Sequence, residues 1–163
     1  MRSVSSIPEK IYTLNELKHQ LNRWRLQNKK IVFTNGVFDI LHEGHITSLG
    51  EAATFGHILI VGVNADASVK RLKGDDRPVN NEGSRSLILA SLVMVDAVIL
   101  FEEDTPLNLV TSIMPDVLVK GGDYTIDEIV GAKEVLANGG DVKTVPILEG
   151  FSTTGIIEKM KKG

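Results

Sequence analysis

The 163-residue chain contains no cysteine. That absence removes disulfides, thiolate nucleophiles and thiolate-bound metal sites, zinc fingers included, and it suits a reducing compartment. No apolar run approaches the ~20 residues that a membrane-crossing helix requires. The opening MRSVSSIPEK lacks the apolar stretch of a secretory signal, so a cytoplasmic location is expected. Neither GxxxxGK(S/T) nor GxGxxG occurs anywhere, which argues against a P-loop kinase and a standard dinucleotide dehydrogenase. Internal repeats and low-complexity segments are missing too. What remains, with 42% hydrophobic and 24% charged residues, has the composition of one ordinary globular domain.

The net charge of −3 is unevenly spread. Residues 1–30 carry seven Lys/Arg against two Glu, so the remainder is distinctly acidic. An acidic body is a poor nucleic-acid platform, and neither a nucleic-acid nor a membrane partner is expected. From Thr13 to Gln27, Leu14, Leu17, Leu21, Trp24 and Leu26 recur near helical spacing, and Thr13 followed by Glu16 forms a capping-box pattern. This helix belongs to an N-terminal extension, residues 1–29, ahead of a main domain over 30–163.

Within the main domain, β-branched and apolar runs at 31–34, 58–63, 97–101, 117–119 and 142–145 have strand length. Helical patterns fill the gaps at 43–55, 84–93, 106–112, 129–137 and 153–161. Strict alternation predicts an α/β fold: a parallel sheet of about five strands with helices on both faces. Residues 70–82 show no clear period and read as a mobile loop. In such folds ligands sit beyond the carboxyl ends of the strands, so functional residues are sought just after each strand.

The first strand runs into Thr34-Asn35-Gly36-Val37-Phe38-Asp39, then His42-Glu43-Gly44-His45 at a helix start. Two imidazoles three residues apart share one helix face, beside free N–H groups that favour an anion. Gly44 leaves room for a close approach, and Gly36 lets the backbone turn off the strand. Imidazole donates to phosphate oxygens and, when protonated, adds a charge that answers charge developing in a transition state. The HEGH spacing does not fit the HExxH zinc helix, and no further ligand set accompanies it, so no metal ligand is expected from the protein. Lys120-Gly121-Gly122-Asp123 offers a cation and open backbone for a phosphate or a base edge, or else a tight turn with a solvated lysine. Ser152-Thr153-Thr154 opens the last helix, as caps, phosphate donors or both.

The segments Thr34–Asp39 and His42–His45 resemble the T/GxFD…HxGH region of the cytidylyltransferase-like nucleotidyltransferases, which implies a Rossmann-like three-layer fold of nucleotidyltransferase type. Together with Asn64–Gly74, Arg77-Pro78-Val79, Val119–Tyr124 and Gly150–Thr154, the chain from Lys30 onward is similar to the D-glycero-β-D-manno-heptose 1-phosphate adenylyltransferases. That activity often forms half of a bifunctional protein with a ribokinase-like sugar kinase, and the resemblance implies a free-standing form fed by a separate kinase.

The implied reaction joins the AMP part of ATP to heptose 1-phosphate, releasing pyrophosphate and giving ADP-heptose for lipopolysaccharide or surface glycans. The sugar phosphate is itself the nucleophile, so positioning and charge neutralisation carry the catalysis. His42, His45 and Lys73 are implied as catalytic. Thr34, Asn35, Gly36, Phe38, Asp39, Gly44, Lys120, Gly121, Asp123, Ser152, Thr153 and Thr154 are implied as nucleotide-binding. Arg85 joins them, although Ser84 stands before it where the superfamily usually has an acidic residue, and a surface ion pair is the alternative. Asn64, Asp66, Lys70 and Arg77 are implied for the sugar phosphate, with a helix N-cap as the alternative for Asp66. Magnesium is expected to arrive with ATP. Relatives often associate, so a homodimer is expected. Rival readings are cytidylyl transfer to glycerol 3-phosphate and a non-catalytic nucleotide-binding regulator. The former is disfavoured because cytidylyltransferases place Arg-Thr where Ile147-Leu148 stand.

Overall fold

The computed structural model describes residues 4–148 and 150–162, so the first three residues of the polar lead-in lie outside the described residues. Six parallel strands form one sheet in the order β1-β4-β3-β2-β5-β6. They are β1 Ile11–Tyr12, β2 Ile31–Gly36, β3 Ile58–Asn64, β4 Ala97–Phe101, β5 Val117–Gly121 and β6 Asp141–Val145. The expected number was five. The sixth is the two-residue β1, whose Ile11 and Tyr12 pair with Val98 and Ile99 on the outer side of β4. Two residues between polar neighbours carry no readable alternation, and only the exposed edge of β4 makes them a strand.

Side-chain alternation along the strands feeds two separate cores. On one face Ile31, Phe33, Ile60, Ile99 and Leu118 meet helices α1 (Leu14–Leu26), α5 (Leu107–Ile113) and α6 (Ala132–Ala137). On the other, Val32, Leu59, Val61, Val98, Val117 and Val119 meet α2 (Glu43–Ala53) and α4 (Glu82–Ser91). Helix α1 starts where its capping box predicts. Thr13 Oγ1 accepts from the N–H of Glu16, and the Glu16 carboxylate accepts from the Thr13 N–H at 2.8 Å. Its Leu17, Leu21 and Trp24 are buried in the first core, and Arg25 donates to the carbonyls of Ile113 and Met114 at the end of α5. Residues 11–26 therefore share the core of the main domain.

Residues 70–82 are not a single loop. Helix α3 (Asp66–Lys73) runs through Lys70 to Lys73, and only 74–81 connect it to α4. Val69 is its one buried large apolar residue, so in sequence α3 reads as a polar stretch rather than a core-facing helix. The connection is fastened to the β2–α2 loop: Asp39 accepts from Arg77 Nε at 2.7 Å, from the Val79 N–H at 2.9 Å and from the Asn80 N–H at 3.0 Å. The last helix, α7 (Thr153–Lys162), follows β6.

Candidate active site

Because β3 and β5 flank β2 on opposite sides, the strand order reverses at β2, and a crevice opens beyond its carboxyl end. A cavity of about 380 Å³ occupies it. The β2 end contributes Thr34, Asn35, Gly36, Phe38 and Asp39, and α2 contributes His42, Gly44 and His45. Across from them stand Lys73, Arg77, Lys120 and Gly121, with Ser152, Thr153 and Thr154 at the start of α7. Fifteen of the twenty residues singled out from sequence thus share one cavity wall.

His42 is the N-cap of α2 and His45 its third residue. Their rings stack with centroids 3.9 Å apart and planes 28° apart. The His42 N–H donates to His45 Nδ1 at 3.3 Å, which leaves the proton of neutral His45 on Nε2 as a donor. Burial, and secondly the neighbouring His42, depress the His45 pKa to about 4, and burial also lowers that of His42. Without bound anion both rings are therefore neutral donors at pH 7. In an NMR titration of the free protein, the His45 imidazole is expected to stay neutral through pH 6 and to protonate near 4. Bound polyphosphate is expected to move that midpoint upward, because an adjacent anion favours the cation.

His42 Nδ1 is buried and has no partner among the described residues. A Cβ on Gly44 would lie 3.0 Å from both His42 Cε1 and Nδ1, so glycine is what lets that ring sit over the helix mouth. Phe38, at φ +50°, sets its ring edge-on to His45 at 5.3 Å, and Phe151 lies 6.3 Å from the His42 ring. Burial drives the Asp39 carboxyl upward, but the N–H groups of Asn80 and Val79 and the Arg77 guanidinium outweigh it and hold it below the usual carboxylate range. Ser152 Oγ accepts from the Gly155 N–H at 3.0 Å and so caps α7, while Thr153 Oγ1 donates to the Ile40 carbonyl at 3.4 Å.

The other five lie elsewhere. Arg85 is 1% exposed and donates to the carbonyls of Asn80 and Val37 and to Asp66 Oδ1, at 2.9, 2.7 and 2.7 Å. Its hydrogen bonds are spent inside the protein, so it is neither a cavity residue nor a surface ion pair. Asp66 is its partner and the first residue of α3, after the N-cap position, rather than a cap. Asn64 lines a second cavity, Lys70 is exposed on α3, and Asp123 is exposed after β5.

The profile of the cytidylyltransferase-like family matches residues 33–159, which include every residue that lines this cavity. The chain belongs to that family. Over 157 residues it is 52% identical to the bifunctional protein HldE of Koribacter versatilis, covering 96% of this chain and 32% of that one. The chain spans about a third of the length of such relatives. The crystal structure of the lipopolysaccharide core biosynthesis protein from Thermoplasma volcanium is similar at 36% identity and a TM-score of 0.60, covering 74% of this chain and 97% of the other. Pantoate-beta-alanine ligase from Francisella tularensis shares the fold at 15% identity and a TM-score of 0.61, covering 93% of this chain and 76% of the other.

Cavity residues of this cytidylyltransferase-like protein that were not named as site residues from sequence are mostly apolar: Val37, Leu49, Val145 and Phe151, together with Ile147, which sequence marked only as a departure from the cytidylyltransferase pattern. Apolar side chains near strand ends read as core, and nothing local marks them as walls. Ser48, also passed over, lies three residues after His45 on the same helix face, a spacing from which it was recoverable.

Proposed function

We propose that the chain transfers the adenylyl group of ATP to D-glycero-β-D-manno-heptose 1-phosphate or a close sugar 1-phosphate, giving ADP-heptose and pyrophosphate. The observation that carries this reading is the stacked His42/His45 pair at the mouth of α2, with one buried imidazole nitrogen lacking a partner. Near-full-length similarity to a region of bifunctional HldE supports the heptose assignment. In the reaction, an acceptor phosphate oxygen bonds to the α-phosphorus as the bond from that phosphorus to the bridging oxygen breaks. Pyrophosphate departs with the electron pair. A phosphate monoester is already anionic at neutral pH, so no enzyme base is needed.

His45 Nε2–H, His42 and the open N–H groups of α2 then hold the departing polyphosphate, and Ser152 to Thr154 stand beside it. Lys73 and Arg77 offer cations from the opposite wall, Arg77 being held in place by Asp39. Apolar Ile147 in the cavity wall suits the adenine base, at the position where cytidylyltransferases place arginine. Magnesium accompanies ATP: Asp39 already accepts three hydrogen bonds, so the ion's ligands come from phosphate oxygens and water. A sugar kinase, on this polypeptide or another, supplies the 1-phosphate.

A pyrophosphate-release assay crossing ATP and CTP with heptose 1-phosphate and glycerol 3-phosphate tests this. Turnover is expected with ATP and the heptose phosphate. Activity confined to CTP and glycerol 3-phosphate rejects it for cytidylyl transfer, and nucleotide binding without turnover in any combination rejects it for a regulator.

A further inference from the structure

The nucleotide cavity has two unlike walls. Lys73 and Arg77, which follow β3 in the chain, are cationic, whereas Val145 at the end of β6, with Ile147 and Phe151 after it, is hydrocarbon. The sheet order sets these walls on opposite sides of β2. Leu49 of α2 continues the apolar wall. Ile147 is 61% exposed and Phe151 37%, so two large apolar side chains at the cavity have no cover. Phe151 also comes close to α2, since a Cβ on Gly44 would lie 3.3 Å from Phe151 Cβ. Charge on one side and uncovered hydrocarbon on the other suit a ligand with a polyphosphate and a flat ring.

Beside that apolar wall α2 places one hydroxyl. Ser48 lines the cavity next to Leu49 in the chain, about 4.5 Å along the helix axis from His45. It is half-buried, and its Oγ makes no hydrogen bond among the described residues. Hydroxyls inside a helix commonly donate to the carbonyl one turn back, as Thr47 does to Glu43 and Thr111 to Leu107, both at 3.0 Å. Ser48 has the equivalent carbonyl, that of Gly44, four residues behind it. With the proton directed there, the Oγ lone pairs are left for an N–H of a ligand.

We infer that Ser48 reads the base of the bound nucleotide, its Oγ accepting a hydrogen bond from the exocyclic amine of adenine. This rests on the adenylyl-transfer reading above and adds the side chain that tells one base from another. An apolar slot holds any flat ring of suitable size, because hydrophobic burial has no direction. A hydroxyl in its wall does have one. It gains a bond from a purine that carries an amine at that edge and loses it to one that carries only hydrogen there. A carbonyl in the same place, as in guanine or hypoxanthine, sets acceptor against acceptor.

A double comparison in the full chain tests it, removing the hydroxyl from the protein and the amine from the nucleotide. Calorimetry with magnesium present gives Kd for ATP and for purine riboside 5′-triphosphate, which has hydrogen where ATP has the amine. Both are measured in wild type and in Ser48→Ala. Alanine is the better helix former, so the variant is expected to fold, which circular dichroism checks. Wild type is expected to bind ATP about fivefold more tightly than the analogue, the worth of one hydrogen bond. In Ser48→Ala the preference is expected to vanish, with ATP affinity falling to that of the analogue.

A preference that drops about threefold or more between wild type and variant supports the inference, because only a coupling between the two deleted groups produces it. A smaller drop overturns it, since a hydroxyl that merely shapes the wall would weaken both nucleotides alike. A wild type that binds the two nucleotides equally, or neither, overturns it as well. Failure of the transfer reading is visible separately, as a wild type that binds ATP but releases no pyrophosphate with any acceptor. The ratio of the two affinities then still decides the role of Ser48.

Discussion

Replacing His45 with alanine is expected to reduce kcat by ~10² or more while leaving the fold intact, the cost typical of losing one preorganised donor to a developing charge. His45 lies at the cavity wall, and its Nδ1 takes the His42 N–H, so Nε2–H is free to face the ligand. The free protein holds this ring neutral, with its pKa depressed to about 4. Neutral imidazole costs less to bury than imidazolium, and the triphosphate brings the anions that favour protonation. As negative charge builds on the leaving pyrophosphate, a ring whose proton affinity rises with that charge stabilises the transition state more than the ground state. The loss should therefore fall on kcat, with KM for ATP changed less. His45→Asn or His45→Gln, which retain an N–H donor but cannot take up charge, should recover only part of the rate. A variant at wild-type kcat, with circular dichroism and thermal midpoint unchanged, would show that the ring merely packs.

The histidine pair was legible in sequence because its meaning is local: one helix turn fixes where the two rings stand. The main strands were legible for a similar reason, since a buried parallel strand needs a continuous apolar run, and 31–34, 58–63 and 97–101 provide one each. Strand β1 was not, because Ile11 and Tyr12 become a strand only beside β4. Helix α3 was hidden by its polar composition; Val69 is its one large apolar residue in the interior, and Ser68 and Arg71 tie the helix to the carbonyls of Glu103 and Glu102 just after β4. Asp39 stands on a strand-end loop where short-range bonds to neighbouring N–H groups are the common pattern, yet its partners are 38 to 41 residues away. Distant pairings of that kind set the geometry of 74–81, and no spacing rule predicts them.

Arg85 is the extreme case, and replacing it should produce the largest loss of stability. Its guanidinium joins three segments that are remote in sequence: the β2–α2 loop through the Val37 carbonyl, the start of α3 through Asp66, and the connection before α4 through the Asn80 carbonyl. Arg85→Met keeps much of the volume but leaves two carbonyls and a carboxylate without their donors. Removing one partner of a buried ion pair typically costs about 3–5 kcal/mol. Asp66 is about one-third exposed and can be partly resolvated, which places the expected loss toward the lower end of that range. Urea denaturation should therefore show a markedly lower midpoint with an unchanged slope. Arg85→Lys should rescue little, because an ammonium cannot reproduce the planar fork that reaches three acceptors at once. In the double variant Arg85→Met, Asp66→Asn, the loss should be smaller than the sum of the two single losses, since the second change removes the carboxylate that the first one strands. Val37 belongs to the wall between the two cavities, and Asn80 donates to the Asp39 carbonyl. The surviving folded fraction of Arg85→Met should accordingly bind ATP more weakly although Arg85 itself does not line the nucleotide cavity. A loss below about 1 kcal/mol, the scale of an exposed pair, would mean that these three segments hold their positions without the guanidinium.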